Sequence, residues 1–440
     1  MNSTRKVLAC LCAVICLSTV AYAEVSTCRL RVNDEAKVKG PWPLVGGLPF
    51  PRAAVTDAAH IRIVDAQGRE IPAQVDVAAT YKDGSIRWAL ASFMGSTDGD
   101  YRADFGPAVR RGPAKGIAVT EKDGQVLVDT GAARFTVTKD NLLVNGAVLT
   151  GERTQPLWAA GEQQAYLIDN QGRRAVCAGQ GAEIELRTLK AGPLRCALRT
   201  EGWYVTDQGE RVARGIARMT FFAGSAMVEV SHTLVFTEDT NRLWVRDYGI
   251  ETRLRASGVA KATFDVAKQF DTTVQSVALK PGESARMMQD DFPHFAERNS
   301  HFSLSLASNG QARELATGEA CGEWCDLSSD GVGLTVVVRD LAEQFPKELE
   351  VAPDGIRVHL WPARSGKELD FRAATLVKDY WAGWSNRAPG GADALAKVGS
   401  NAQAAGKTHE IMLMPHAGPL DAAMAASRAH AVCKPVLLLP

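Results

Sequence analysis

The feature that most restricts this chain is an alternation of apolar and polar side chains with a period of two, cut at short intervals by tight-turn residues. Ile61 and Ile63 flank Arg62, and the run stops at Asp65-Ala66-Gln67-Gly68. Ile71, Ala73, Val75 and Val77 then alternate with Pro72, Gln74, Asp76 and Ala78. Asp83-Gly84 turns the chain, and Ile86, Trp88 and Leu90 alternate with Arg87 and Ala89. Successive side chains of a strand point to opposite faces, so this pattern describes half-buried strands joined by turns in an antiparallel meander. The alternation assigns Trp88 to the core side and Arg87 to the opposite face. Pro72 has no amide hydrogen to give a ladder and suits an edge or a strand start.

The same grammar continues far down the chain. Arg110, Arg111 and Lys115, interspersed with Gly112, Pro113 and Gly116, read as an exposed linker that closes a first domain at residues 24–116. A second β-rich domain is expected over 117–390. Asn145-Gly146, set between Leu142-Leu143-Val144 and Ala147-Val148-Leu149, gives its strongest hairpin signal. Further strands are expected at 182–188, 194–205, 216–222, 227–237, 243–250, 258–266, 300–307, 332–338 and 355–361. Many turn-separated strands without intervening helices indicate a large antiparallel β-sandwich rather than βαβ units. After Phe371 the pattern changes, and helices are expected at 373–384, 392–405 and 419–432, the last with Pro419 in its first turn. The fold class is therefore mainly β, with a short helical C-terminal stub.

Arg5 and Lys6 precede an apolar run from Val7 to Val20, and Ala21-Tyr22-Ala23 offers a small-residue cleavage site. That is a secretory signal over residues 1–23, too short for the ~20 apolar residues of a spanning helix. A secreted or periplasmic protein is expected, with no stable membrane insertion once the signal is removed. Fifty basic and fifty acidic side chains cancel, so no global field draws the protein to nucleic acid, and an anionic glycan would need a local basic patch. Of nine cysteines, Cys28, Cys177, Cys196, Cys321, Cys325 and Cys433 remain after the signal. Cys321 with Cys325, and Cys177 with Cys196, are candidate disulfides for an exported protein; small buried thiols are the alternative. Cys321 and Cys325 lack a second ligand pair at finger spacing, and no metal site is expected. The chain has no phosphate-cradling glycine loop, Gly-x-Ser-x-Gly elbow or His-Glu-x-x-His, which removes support for nucleotide enzymes, α/β-hydrolases and zinc peptidases.

Three segments together carry a family resemblance: Gly46-Gly-Leu-Pro-Phe-Pro-Arg52, the Asp-x-x-Gly-x-x-x-Pro-x-Gln pattern of Asp65, Gly68, Pro72 and Gln74, and Asp83-Gly-Ser-Ile-Arg-Trp88. They resemble the N-terminal barrel of a bacterial family that holds exo-acting rhamnogalacturonan lyases and their YetA-like relatives. The resemblance implies a small RIFT-type barrel over 24–116, a central β-sandwich over 117–390 and an α/α toroid, of which 391–440 would be the start. About twelve helices of ~11 residues need well over ~130 residues, and thirty follow Glu410, so the toroid is expected to be largely missing. The function implied is that of an exo-acting polysaccharide lyase that β-eliminates a uronate-containing polysaccharide or oligosaccharide such as rhamnogalacturonan. A non-catalytic glycan-binding or assembly protein, or the product of a truncated gene, are the alternatives.

Such a lyase needs a base, a group that neutralises the uronate carboxylate, and an acid for the departing oxygen; Tyr, His, Lys and Arg serve, and Ca²⁺ can take the neutralising role. Lys407-Thr408-His409-Glu410 packs a cation, a hydroxyl, an imidazole and a carboxylate together. His409, Lys407 and Glu410 are thus the catalytic candidates, against the plainer reading of a junction loop. His232 shares a strand face with Val228, Val230 and Leu234, which suits a core histidine as well as a substrate contact. His294 and His301 bracket a polar, strand-poor stretch that can reach a cleft. Tyr380, Trp381 and Trp384 can stack on sugar rings, although aromatics at helical spacing more often form a core.

Overall fold

The computed structural model describes residues 25–114, 116–151, 154–255, 258–267, 273–291, 301–372 and 401–440. The helix expected over 373–384 and residues 392–400 of the one expected over 392–405 lie outside them, and the described remainder, 401–405, is turn rather than helix.

The first domain is a closed β unit of two small sheets. Strands Trp42–Pro49, Ile86–Gly95 and Gln74–Thr80 form one. Ser26–Asn33, Tyr101–Phe105, Ile61–Asp65 and Glu70–Ile71 form the other. Their inner faces share one core that includes Leu30, Leu44, Ile61, Ile63, Phe93 and Tyr101. Local chemistry sets the turns: the Asp65 carboxylate accepts from the backbone N–H of Gln67 and Arg69, and Gly68 takes φ 78°, which costs glycine nothing.

Trp88 departs from the sequence expectation. The register between Gln74–Thr80 and Ile86–Gly95 slips around Ala79, and such a bulge re-aims the side chains beside it. Ile86 and Ala89 stay buried, while Trp88 turns outward and is 42% exposed.

The second domain is a two-layer sandwich. One layer runs Glu185–Ala191, Arg195–Thr206, Arg211–Phe222, Val228–Val235, Gly406–Ala417, Val332–Val338, Trp324–Ser328, Ala260–Asp265 and Val274–Leu279. The other runs Arg174–Val176, Gln163–Asp169, Val245–Arg253, Gly355–Trp361, Lys347–Ala352, Glu283–Gln289, Phe302–Ser308 and Gln311–Gly318. A short pairing of Ala175 with Thr206 and Val176 with Val205 joins them. Met219, Val230 and Ile411 of the first layer share a core with Tyr248, Leu349 and Val358 of the second. A five-stranded meander over 118–158 packs on the same core. Within it the Asn145-Gly146 hairpin does not form. Leu142, Leu143 and Val144 are buried without strand pairing, because Asn141 accepts from the Leu143 N–H and Leu142 N–H donates to Cys177.

The C-terminal residues are used differently from the start of a toroid. Gly406–Ala417 is an interior strand of the sandwich, paired on both sides. Helix Ala422–Cys433, with the Asp421 carboxylate accepting from Met424 N–H, packs Ala425, Ala426 and Ala429 into the barrel core. Leu437–Leu439 then adds antiparallel to Ser26–Asn33. Its Leu438 carbonyl lies 2.4 Å from where a Cβ on Gly46 would sit, so only glycine admits that approach.

The expected disulfides are absent, and all six described cysteines are free. The pairing of Val176 with Val205 sets Cys177 level with Tyr204, some eight residues along the strand from Cys196. At ~3.3 Å per residue that is far beyond the ~7 Å Cα limit of a disulfide. Cys321 donates its backbone N–H to Gln289, and Cys325 pairs with Phe264 and Val336. Different neighbours hold the two thiols in dry surroundings.

Candidate functional site

Strands Val228–Val235 and Gly406–Ala417 pair in a register that sets His232 directly opposite His409 and Ser231 opposite Glu410. The two histidines singled out from the sequence are therefore cross-strand neighbours, and they face the sandwich interior. His232 is 0% and His409 2% exposed. His232 Nε2 lies 2.7 Å from Tyr204 Oη. His409 Nε2 lies 2.7 Å from Tyr248 Oη of the opposite layer. Burial pushes His232 down to about 4. His409 is pushed lower still, by burial and then by the charges of Lys347, His232 and Lys407. Both rings are neutral near pH 7, and no glycan reaches them. The catalytic reading of His409 and the substrate-contact reading of His232 give way to a buried Tyr–His cross-brace between the layers. Lys347, 3% exposed, lies at the same end of the core, and burial followed by Lys407 pushes its amine down to about 7. Lys407 is exposed at the mouth of this polar seam.

The other candidates scatter. His301 is 4% exposed and starts the Phe302–Ser308 strand, its N–H donating to the Gly318 carbonyl. Its neighbourhood is a strand end, not a cleft wall. His294, Tyr380, Trp381 and Trp384 lie outside the described residues. Glu410 alone of the catalytic candidates opens onto a cavity.

That cavity, of about 420 Å³, lies on the outer face of the same strand pair. The sheet supplies its floor: Thr220 beside Glu229, and Arg218 beside Ser231 beside Glu410. Arg339 extends the second row, donating to the Glu410 carboxylate through its side chain and to the Glu410 carbonyl through its N–H. The barrel strand Trp42–Pro49 gives one wall with Pro43 and Val45. Val432, Pro435 and Val436 of the C-terminal segment give the other. A polar floor under apolar walls, in this size range, is the make-up of a small-ligand site.

Two floor groups are poised for chemistry. The Glu229 side chain reaches solvent through the cleft, yet protein crowds around it. That desolvation, with Arg195 opposing it and the Glu410 charge adding to it, pushes its carboxyl up to about 7. Arg218 is exposed and, among the described residues, has no ion-pair partner. The alternation of Val228, Val230 and Leu234 drew attention to His232. Glu229 and Arg218 read as ordinary solvated strand positions, and nothing in sequence spacing marks them.

A second charged network covers the outer face of the opposite layer. His359 Nδ1 lies 2.9 Å from Asp247 and from Tyr166 Oη. Its Nε2 lies 3.4 Å from both Glu348 and Glu350. Glu348, Glu350 and His359 are close enough together to hold a cation. However, Arg364 pairs with Glu348, while Arg286 and Arg357 pair with Glu350. Burial opposes the charge on His359, but hydrogen bonds to Asp247 and Glu350 overcome it and push the ring up to about 9. Guanidinium and imidazolium groups already balance these carboxylates, so the donor set does not fit a metal ion.

Two family models match the two β domains. Residues 33–103 match the PcRGLX-like N-terminal RIFT barrel domain, and residues 117–263 the PcRGLX-like protein central β-sandwich domain. The uncharacterized protein YetA of Bacillus subtilis is 21% identical over 378 residues, which cover 75% of this chain and 43% of YetA. The chain thus spans less than half the length of that relative. Among solved structures, a glycosyl hydrolase family 38 protein from Enterococcus faecalis aligns with 93% of this chain and 47% of its own, at TM-score 0.49 and 8% identity. An α-mannosidase from Enterococcus faecalis V583 aligns with 94% and 46%, at TM-score 0.47 and 9% identity.

Proposed function

We propose that this chain acts on a uronate-containing glycan such as rhamnogalacturonan by β-elimination, as an exo-acting polysaccharide lyase, in the cleft between barrel and sandwich, a reading supported by its matches to the PcRGLX-like RIFT barrel and central β-sandwich domains. The domain pair is the observation that carries this reading, and the cleft floor supplies chemistry to match. In β-elimination a base removes the proton next to the uronate carboxylate. The electron pair forms the ring double bond, the glycosidic C–O bond breaks, and the departing oxygen takes a proton. A carboxyl titrating near 7 is a better base at neutral pH than an ordinary glutamate, which sets Glu229 in that role. Arg218 is placed to neutralise the substrate carboxylate, and pairing with it stabilises the carbanion-like charge that develops. Desolvation is the main cause that keeps the Glu229 carboxyl raised, and the charge of Glu410, held by Arg339, adds to it.

The test is ultraviolet absorbance of the unsaturated product when the chain is incubated with rhamnogalacturonan oligosaccharides. Wild type is expected to produce it, Glu229→Gln to lose about 10²–10⁴-fold in kcat, and Arg218→Ala about 10²-fold or more. Full activity in Glu229→Gln would sink the assignment. A second reading is glycan binding without turnover, which the exposed Arg218 supports, since a guanidinium without an ion-pair partner among the described residues can hold a bound carboxylate with no chemistry following. It predicts saturable binding that Arg218→Ala weakens, with no unsaturated product.

A further inference from the structure

We infer that Trp88 forms an outer saccharide subsite on the barrel, stacking a sugar ring that continues out of the barrel–sandwich cleft. This rests on the cleft being a glycan site. Trp88 is the largest apolar side chain among the exposed ones described, at 42%. It is exposed because a bulge turns it out of the alternation that would otherwise bury it. A single exposed apolar side chain is common on protein surfaces, so the case for a ligand rests on where this one sits.

Residues directly opposite in an antiparallel pair share a face, so Pro43, Val45, Gly47 and Pro49 line one side of their strand together with Met94, Ser92, Leu90 and Trp88 of the neighbour. Pro43 and Val45 are cleft wall. Gly47 comes one step further out, about 7 Å along the strand. The Trp88 ring leans over it, 3.6 Å from where a Cβ would be. The absent side chain lets the indole lie flat against backbone. The result is an apolar strip leading from the cavity to a tryptophan, at the spacing of a residue or two of a pyranose chain. Beside it, Asp76 faces Leu90 across the strands and is paired with a half-exposed Lys190, a donor and acceptor set for ring hydroxyls. A flat aromatic face flanked by such a pair suits the C–H face of a pyranose.

The experiment is calorimetric titration of the full chain with rhamnogalacturonan oligosaccharides of graded length, for wild type, Trp88→Ala, Trp88→Phe and Arg218→Ala, each checked for an unchanged thermal melt. Trp88→Ala should weaken longer oligosaccharides by about five- to tenfold and leave the shortest bound ligand unaffected. Trp88→Phe should retain most of the affinity, and Arg218→Ala should weaken every length. Equal loss at all lengths in Trp88→Ala, no loss at any length, no binding at all, or a self-association that Trp88→Ala abolishes would each overturn the subsite. If Arg218→Ala is silent while Trp88→Ala is length-dependent, the cleft reading fails and the tryptophan stands alone as a glycan contact.

Discussion

Single ionisable groups set how this protein responds to pH. Glu323 is 1% exposed; burial, then Asp265 and Glu343, push its carboxyl up to about 8 from an ordinary 4.5. The folded state thus keeps a proton that the unfolded chain gives up. Its contribution is intact below about pH 4.5 and fades as pH rises through 8. His232 works in the other direction. It is held down to about 4, so stability is lost as pH falls from the ordinary histidine range through 4. Glu323→Gln should raise the melting temperature at pH 8.5 by about 2–4 °C, the shift that accompanies ~1 kcal/mol in a domain of this size, and have little effect at pH 4.5. Calorimetric melts at the two pH values check it; a variant equally destabilised at both would show that Glu323 acts through packing alone. Legibility at this scale was uneven. His232 stood out as a histidine on an apolar strand face and His409 as part of the polar run Lys407–Glu410; the sandwich interior buries both and closes them to substrate. Glu229 and Arg218 became candidates only when the strand Gly406–Ala417 and the C-terminal segment folded over them from far along the chain.

At the level of elements, the alternating runs were readable because a strand writes its burial into every second residue. Ile61–Asp65, Gln74–Thr80 and Ile86–Gly95 lie close to where the pattern placed them. A bulge is not written that way, and the register shifts on either side of Ala79 moved a tryptophan from core to surface. Asn145-Gly146 misled for a related reason, since Asn141 offered the backbone a competing set of hydrogen bonds. The C-terminal strand Leu437–Leu439 is three residues long, shorter than pattern reading can detect. It nonetheless closes the barrel edge, and Val436 just before it walls the cleft. Deleting residues 435–440 removes buried Leu438, a contribution of about 1.5–3 kcal/mol. The melting temperature should fall by several degrees, and oligosaccharide affinity should fall with it. Gly46→Val should reproduce both effects, because its side chain collides with the Leu438 carbonyl. Unchanged melting in both variants would mean that the segment does not dock in solution.

For the molecule as a whole, the order of barrel then sandwich was legible from three short segments and from the long absence of helical periodicity. The joint between the domains was not, because it is made by residues distant in sequence: Gln74 accepts from the N–H groups of Leu194 and Arg195, and Val45, Glu229 and Val436 meet across one cavity. The proposed activity belongs to that joint, since neither domain alone encloses the cleft. The most direct measurement is a crystal structure of the chain with a rhamnogalacturonan oligosaccharide bound. A uronate carboxylate should sit on Arg218, with the ring proton next to it facing Glu229 and the chain running along Pro43–Pro49 toward Trp88. Sugar bound elsewhere on the molecule, with the cleft filled only by solvent, would contradict the proposed activity.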